Sequence, residues 1–446
     1  PYIYRSFLRS IGGHLEDFVV VIDEAHNLAD TAISVLSDSI TLGTLKGAIR
    51  EARIYERSEL AEFAKVIMTF VEETSKDLDI DDVKAIELKE LSEVVIESTG
   101  YSFEVIADLC RSFGEYINQR LLMQDKPPRS HLHRLGEFAL RLWETRGLES
   151  FLHVISKDLN GRVRFEVVSL DPRDATEPLF REAYATISMS GTLKPFEAYV
   201  DVVGIPREKS VFVEAPSPFP EENVLALVIR GITTRFTDRS RATYEKINRI
   251  VAEAVNNTPC NTGIFAASYD VLEGMVKAGL REMLDKPLLV EWRGLSSKET
   301  DKLIEEFKSM SSRGGAALLS VQGGRASEGE DYPGNQMCTV IIVGVPFAKP
   351  DVKVNSQIRY YEQRFPGKGR LYGYIYPAVR KAAQAAGRPF RLLSDRGVIL
   401  FLDRRFLRPE IRENLPRWIL RNLRTIAGLE GHIARIVSIF FKGKGL

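Results

Sequence analysis

The sequence is poor in several things, and each shortage excludes something. Among 446 residues there are only 3 cysteines, Cys110, Cys260 and Cys338. They lie far apart and follow no metal-ligand spacing, which argues for three small core residues in a reducing compartment rather than a metal module. No run of about 18 apolar residues and no signal peptide is present, so neither a membrane span nor a membrane partner is expected. A cytoplasmic location follows, or a nuclear one in a eukaryote. No internal repeat or low-complexity tract appears. Net charge is also missing, with 61 basic residues against 61 acidic. The balance hides an asymmetry. Residues 16–108 hold 22 acidic against 8 basic residues, whereas residues 384–446 hold 13 basic against 5 acidic. A basic region of this kind hints at nucleic-acid contact, although solvated helix faces explain charge runs equally well.

The chain is organised around Phe18 to Asn27. Four apolar residues, Val19 to Ile22, read as a strand buried on both faces, followed at once by Asp23 and Glu24. Acidic residues at the carboxyl end of such a strand stand where open α/β sheets bind ligands. Asp23 is placed to hold a hydrated Mg²⁺, and Glu24 to polarise a water beside a nucleotide γ-phosphate. The plain alternative is a strand whose terminal Asp caps the next helix. Asp23-Glu24-Ala25-His26 resembles the Walker B motif of superfamily 2 helicases. No Gly-x-x-x-x-Gly-Lys-Ser/Thr phosphate loop occurs anywhere, and the chain starts Pro1-Tyr2 without methionine. The expectation is therefore the C-terminal part of a longer protein, with the upstream part as its partner.

Length suggests about three domains. Residues 1–34 read as part of a first motor domain. Residues 35–150 read as a helical insertion, with apolar stripes at Leu60, Phe63, Ala64, Ile67, Phe70 and Val71 and again at Ile106, Leu109, Cys110, Phe113, Ile117 and Leu121. The acidic stretch 72–97 reads as a surface helix pair, Pro127-Pro128 as a loop, and Leu135–Leu152 as a further helix. Residues 151–215 return to the first motor domain, with strands at 163–170 and 185–189. Pro216 to Pro220 reads as a linker. From 216 to 446, six strands at 224–230, 262–267, 288–290, 316–321, 338–343 and 398–402 alternate with helices, which argues for a second parallel sheet. The fold class is α/β: two parallel-sheet domains, the first incomplete, which the helicase resemblance implies are RecA-like motor domains, with an inserted helical domain that resembles an Arch domain.

Four further stretches carry chemistry. Ser190-Gly191-Thr192 after a strand resembles motif III, which couples the acidic motif to a neighbouring domain. Ser268-Tyr269 opens a helix after a strand; Ser268 caps it, and the arrangement resembles the phosphate-contacting motif IV. Gly323 to Asp331 is a glycine-rich loop whose amides can form an anion nest, and its Glu328-Gly329-Glu330-Asp331 core resembles motif V. Gln384 to Arg391 sets Arg388 and Arg391 three residues apart, two planar forks for one anion, and resembles motif VI.

Together with Leu415-Pro416-Arg417-Trp418-Ile419 and Val345-Pro346-Phe347, these motifs resemble the XPD helicases. The likeness runs from Val19 to about Leu423 and is weakest in the insertion. It implies ATP and Mg²⁺ gripped between two motor domains, with 5′→3′ movement on single-stranded DNA in excision repair and repair or transcription factors as possible partners. The resemblance also implies a 4Fe-4S cluster, whose cysteine ligands are not in this segment. On it, Asp23, Glu24, His26, Gln384, Arg388 and Arg391 are expected to act in catalysis, with Asp23 also the metal residue. Glu328, Gly329 and Asp331 would meet the nucleotide, and Ser190, Gly191 and Thr192 would couple the domains. Ser268, Tyr269, Gly324, Arg325 and Ser327 would meet DNA. Glu330 departs from the pattern, since that position is usually apolar. Two other readings stay open: an ATPase-incompetent DNA-binding or scaffolding piece, and a 5′→3′ helicase of the DinG type.

Overall fold

The structure is a computed structural model that describes Ser10 and residues 12–443. Part of the expected first motor segment, residues 1–9 and Ile11, lies outside the described residues, as do residues 444–446. The chain divides into two units. One holds the residues up to Met189 with Val200–Glu208 and Lys349–Arg370; the other holds Ser190–Tyr199, Lys209–Ala348 and residues from Leu371 on.

Among the described residues the first unit contains six strands: β1 (Val19–Ile22), β2 (Asp38–Thr41), β3 (Asp82–Ala85), β4 (Phe151–Lys157), β5 (Val163–Ser169) and β6 (Ala185–Ser188). β1 and β6 pair in parallel, Val20 opposite Thr186. They form a two-stranded sheet, and this corrects the expectation of a strand buried on both faces. Val19 and Val21 are 55% and 56% exposed, because among the described residues no further strand or helix covers that face.

The other four strands form an antiparallel sheet in the order β2-β5-β4-β3. The insertion is thus not purely helical. β3 falls inside the acidic stretch read as a helix pair, and Phe151-Leu152, read as helix, starts β4; the preceding helix stops at Glu144. β3 is a charged, mostly exposed edge strand, a pattern that blocks further pairing and carries no apolar alternation to betray it. The helices fall at 42–54, 58–75, 89–99, 103–122 and 131–144, several started by side-chain caps from Thr41, Ser102 and Ser130. Both apolar stripes face the core, where Phe63, Ile67, Phe103, Ile106, Phe138 and Phe165 are buried. Helices 103–122 and 131–144 meet through glycines. A Cβ on Gly114 would lie 2.0 Å from the His133 nitrogen, and one on Gly136 would lie 2.2 Å from the Arg111 nitrogen.

The second unit is built on a seven-stranded, all-parallel sheet: β7 (Val224–Arg230), β8 (Thr262–Ala266), β9 (Leu288–Val290), β10 (Ala317–Val321), β11 (Thr339–Val343), β12 (Gly397–Phe401) and β13 (Leu423–Ala427). The order is β13-β7-β12-β11-β8-β10-β9. Burial of whole strands explains their continuous apolar runs. β13 went unread because Leu423–Ala427 carries an arginine and a threonine and is only half-buried at the sheet's edge. The proline stretch 216–220 is irregular but falls inside this unit, where Phe219 packs on Phe390 with ring centres 5.6 Å apart. Cys260 and Cys338 are not separate core thiols. They are joined as a disulfide, Cα atoms 6.0 Å apart, at the amino ends of neighbouring strands β8 and β11. Their separation of 78 residues concealed the pairing. Among the described residues no helix is long and apolar enough to cross a membrane.

Candidate functional site

In the first unit, β1 delivers Asp23 and Glu24 into a tight turn. Met189, which follows β6, donates its N–H to the Ile22 carbonyl and accepts from Ala25, both at 2.9 Å, so the turn is stapled across the two strand ends. Glu24 has φ 47° and ψ 42°, the left-handed region that non-glycine residues rarely adopt and that recurs at working sites. Asp23 Oδ1 accepts the Glu24 N–H at 2.8 Å. Buried His26 places Nδ1 3.1 Å from Glu24 Oε2 and so orients that carboxylate from below. Both carboxylates are exposed.

Asp23 keeps one oxygen free, which fits a hydrated Mg²⁺ held largely by nucleotide phosphates. No group of three or more potential metal ligands occurs among the described residues. The cysteines do not fit a 4Fe-4S cluster, which takes four thiolates: two are joined together and Cys110 is in the core. Burial and the Glu51 charge push the Cys110 thiol far up.

In the second unit, the motif V and motif VI residues come together. Helix 376–386 carries Gln384, and Arg388 follows its end. The Arg388 guanidinium is buried and donates from Nε to the Ser327 carbonyl at 2.7 Å, from Nη1 to Glu330 at 2.6 Å and from Nη2 to Glu328 at 2.9 Å. It closes the glycine-rich loop rather than facing solvent. Arg391 is half-exposed, and its Nε lies 2.7 Å from the 72%-exposed Asp331 carboxylate. Glu330 turns to Lys308 at 2.8 Å and to Arg325 at 3.7 Å, while Arg325 also meets Asp301 at 2.8 Å. The Arg325 charge is therefore largely balanced. Ser327 is fully buried, its hydroxyl donating to the Gly324 carbonyl at 2.9 Å, so its side chain is not presented to a nucleic acid. Asp395, missed in the sequence, accepts the N–H groups of Arg391 and Leu392 at 2.7 and 2.6 Å and fixes the turn. An Asp a few residues after an arginine pair, before a strand, is the turn signal that could have found it.

The carboxyl ends of β8 and β10 lead to Ser268 and to Gly323-Gly324. Ser268 caps helix 269–277 by accepting from Val271 at 3.4 Å, and Tyr269 opens that helix. Ser190 accepts the Thr192 N–H at 3.2 Å in a turn of its own. A groove of about 1060 Å³ in the first unit is lined by Asp38, Asp108, Arg111 and Arg134 among others, but no motif residue lines it.

Three family profiles match the chain in order: DEAD_2 over residues 2–45, a helical and beta-bridge domain over 48–238, and a helicase C-terminal domain over 251–422. An ATP-dependent DNA helicase chl1 of Aspergillus clavatus is 26% identical, over 95% of this chain and 66% of that one. The general transcription and DNA repair factor IIH helicase subunit XPD/RAD3 of Saccharomyces cerevisiae is 25% identical, over 92% of this chain and 61% of that one. The chain is XPD-like, of helicase superfamily 2. Two solved structures carry the same fold: one titled XPD_Helicase, with TM-score 0.59, 20% identity and coverage of 93% and 69% of the two chains, and the S. tokodaii Xpd4 structure, with TM-score 0.60, 16% identity and coverage of 93% and 76%. This XPD-like chain spans under two-thirds of the length of the yeast and Aspergillus relatives. Its mixed helical and strand insertion accords with the helical and beta-bridge profile.

Proposed function

We propose that the chain is the larger part of an ATP-dependent DNA helicase that moves 5′→3′ on single-stranded DNA, of the excision-repair type. The observation that carries the reading is the convergence of Arg388 and Arg391 on the loop 327–331 within one parallel-sheet unit. In this reading Arg388 braces the loop, and Arg391 and Asp331 hold each other until a nucleotide takes both. Asp331 would turn to the ribose with Glu328 and Gly329 beside it. Arg391 would meet the charge developing on the transferring phosphate, a role worth roughly 10³–10⁵ in rate in other NTPases.

Asp23 would hold Mg²⁺, which when bound neutralises phosphate charge. Glu24, oriented by His26, would accept a proton from the attacking water. Gln384 lies one turn before Arg388 and completes the set. Ser190, Gly191 and Thr192 would pass the nucleotide state on, and Ser268, Tyr269, Gly324 and Arg325 would hold the strand mainly by its backbone. Partners in this reading are single-stranded DNA, an upstream segment of the same protein bearing the phosphate loop, and repair or transcription factors, in the cytoplasm or a nucleus.

A second reading has its own observation. The exposed Val19 and Val21 and the missing phosphate-loop sequence leave this chain without a cradle for the β- and γ-phosphates. By itself it would bind DNA and hydrolyse no ATP. The test is Glu24→Gln in the chain joined to the upstream segment. ATP binding should persist and hydrolysis should nearly vanish; near-normal turnover would sink the assignment.

A further inference from the structure

The insertion in the first unit holds a cavity of about 440 Å³ between the start of helix 89–99 and the turn that follows helix 131–144. That volume lies within the range of small-molecule sites. Ile86, Leu88 and Trp143 give it an apolar wall, and Lys89, Arg146 and His153 stand around it. The Trp143 ring is held in place. It stacks on Phe103 with ring centres 5.4 Å apart, and the Arg146 guanidinium lies 3.5 Å from its centre.

Three kinds of polar group meet at this cavity without a protein partner. Helix 89–99 starts at Leu88 with no side-chain cap, and among the described residues the N–H groups of Lys89, Glu90 and Leu91 are unbonded. Leu88 and Lys89, at that end, line the cavity. The positive end of a helix attracts anions, and its free N–H groups can hold them. Neither Lys89 nor Arg146 forms an ion pair among the described residues; Arg146 Nη1 donates to the Trp143 carbonyl at 2.6 Å, which leaves the rest of its fork open. His153, on β4, is only 9% exposed. Its Nε2 lies 2.8 Å from the Thr145 hydroxyl, and its Nδ1 has no partner among the described residues. Buried polar atoms are ordinarily satisfied, so a bare imidazole nitrogen on a cavity wall points to a ligand. Glu87 is the only carboxylate that lines the cavity, and it is exposed.

These donors come from three elements: the start of helix 89–99, the turn after helix 131–144, and β4. Convergence from several sides suits a tetrahedral oxyanion better than a planar carboxylate, and the apolar wall suits an organic group attached to it. We infer that the cavity binds a phosphate monoester, its phosphate held by the end of helix 89–99, Lys89, Arg146 and His153 Nδ1, and its organic group laid against Ile86, Leu88 and Trp143. The Thr145 hydroxyl donates to Nε2 in the bound state, so Nδ1 carries the ring proton and donates to the phosphate. The site lies within the insertion and is independent of the helicase reading.

The test is calorimetric titration of the chain with phenyl phosphate, benzoate and inorganic phosphate, beside nitrogen NMR of its histidine rings. Phenyl phosphate should bind one per chain. Inorganic phosphate, which lacks the apolar part, and benzoate, which lacks the tetrahedral group, should each bind roughly tenfold more weakly or worse. Lys89→Gln and Arg146→Gln, both at exposed positions, should each weaken phenyl phosphate several-fold without changing the melting temperature. Phenyl phosphate should also move the Nδ1 resonance of His153, which His153→Gln identifies by its loss. No saturable binding of phenyl phosphate would overturn the inference and leave a cavity filled by water. Binding that neither moves the His153 resonance nor responds to Lys89→Gln and Arg146→Gln would overturn it by placing the ligand elsewhere. Equal affinity for benzoate would overturn the ligand class.

Discussion

Arg388 and Arg391 look equivalent in sequence, and the structure predicts opposite behaviour for them. Arg388 is buried and saturates three carbonyl groups at 2.6–2.9 Å. Hydrogen bonds to a charged group contribute about 1.5–3 kcal/mol each, and they do not add fully. Arg388→Ala leaves three carbonyls at residues 327–330 without their donor, and a loss of about 3–5 kcal/mol is expected, three such bonds discounted for incomplete additivity. Arg391→Ala removes a half-exposed ion pair, worth about 0–1 kcal/mol. Urea unfolding followed by tryptophan fluorescence reports the difference, because Trp418 packs on Phe390 with ring centres 5.4 Å apart, between the two arginines in sequence. With a slope of about 2–3 kcal/mol per M, Arg388→Ala should lower the midpoint of the second unit by roughly 1–2.5 M and Arg391→Ala by no more than about 0.5 M. Equal midpoints for Arg388→Ala and wild type would refute the bracing role, and so would an equally large loss in Arg391→Ala.

Three other outcomes are expected. Gly136→Ala places a methyl within 2.2 Å of the Arg111 backbone, so helices 103–122 and 131–144 must separate; thermal melting of the first unit should fall by several degrees, as overpacking costs about 1–3 kcal/mol. Burial pushes His153 down from 6.5 to about 4. The unfolded chain therefore binds a proton that the folded chain refuses between those values, so stability should drop as pH falls from 6.5 towards 4, and His153→Gln should flatten the drop in a pH series of urea midpoints. Arg325→Ala, with Asp301 and Glu330 already balancing its charge, should reduce the salt slope of DNA binding by less than the one unit of a free phosphate contact.

The seven-stranded unit was legible because its signals are local. Continuous apolar runs mark fully buried parallel strands, and two of its motifs follow strand ends, as Ser268 follows β8 and Gly323 follows β10, while Gln384 to Arg391 closes helix 376–386. What stayed hidden depends on distant partners. The pairing of Cys260 with Cys338 needs β8 beside β11, and the inward turn of Ser327 needs Arg388 against its carbonyl. β3 escaped because an edge strand in an acidic stretch shows no apolar period. The burial assumed for Val19 and Val21 came from composition, which reports what a strand can bury and not whether a neighbour is there to bury it.

Arg391 is proposed to serve the nucleotide and not the DNA. The direct measurement is Arg391→Ala in the chain joined to the upstream phosphate-loop segment: ATPase rate at saturating single-stranded DNA, beside DNA affinity without nucleotide. The account predicts an ATPase loss of roughly 10³-fold or more, with DNA affinity unchanged. Retained ATPase with weakened DNA binding would contradict it and make the motif VI turn a nucleic-acid patch.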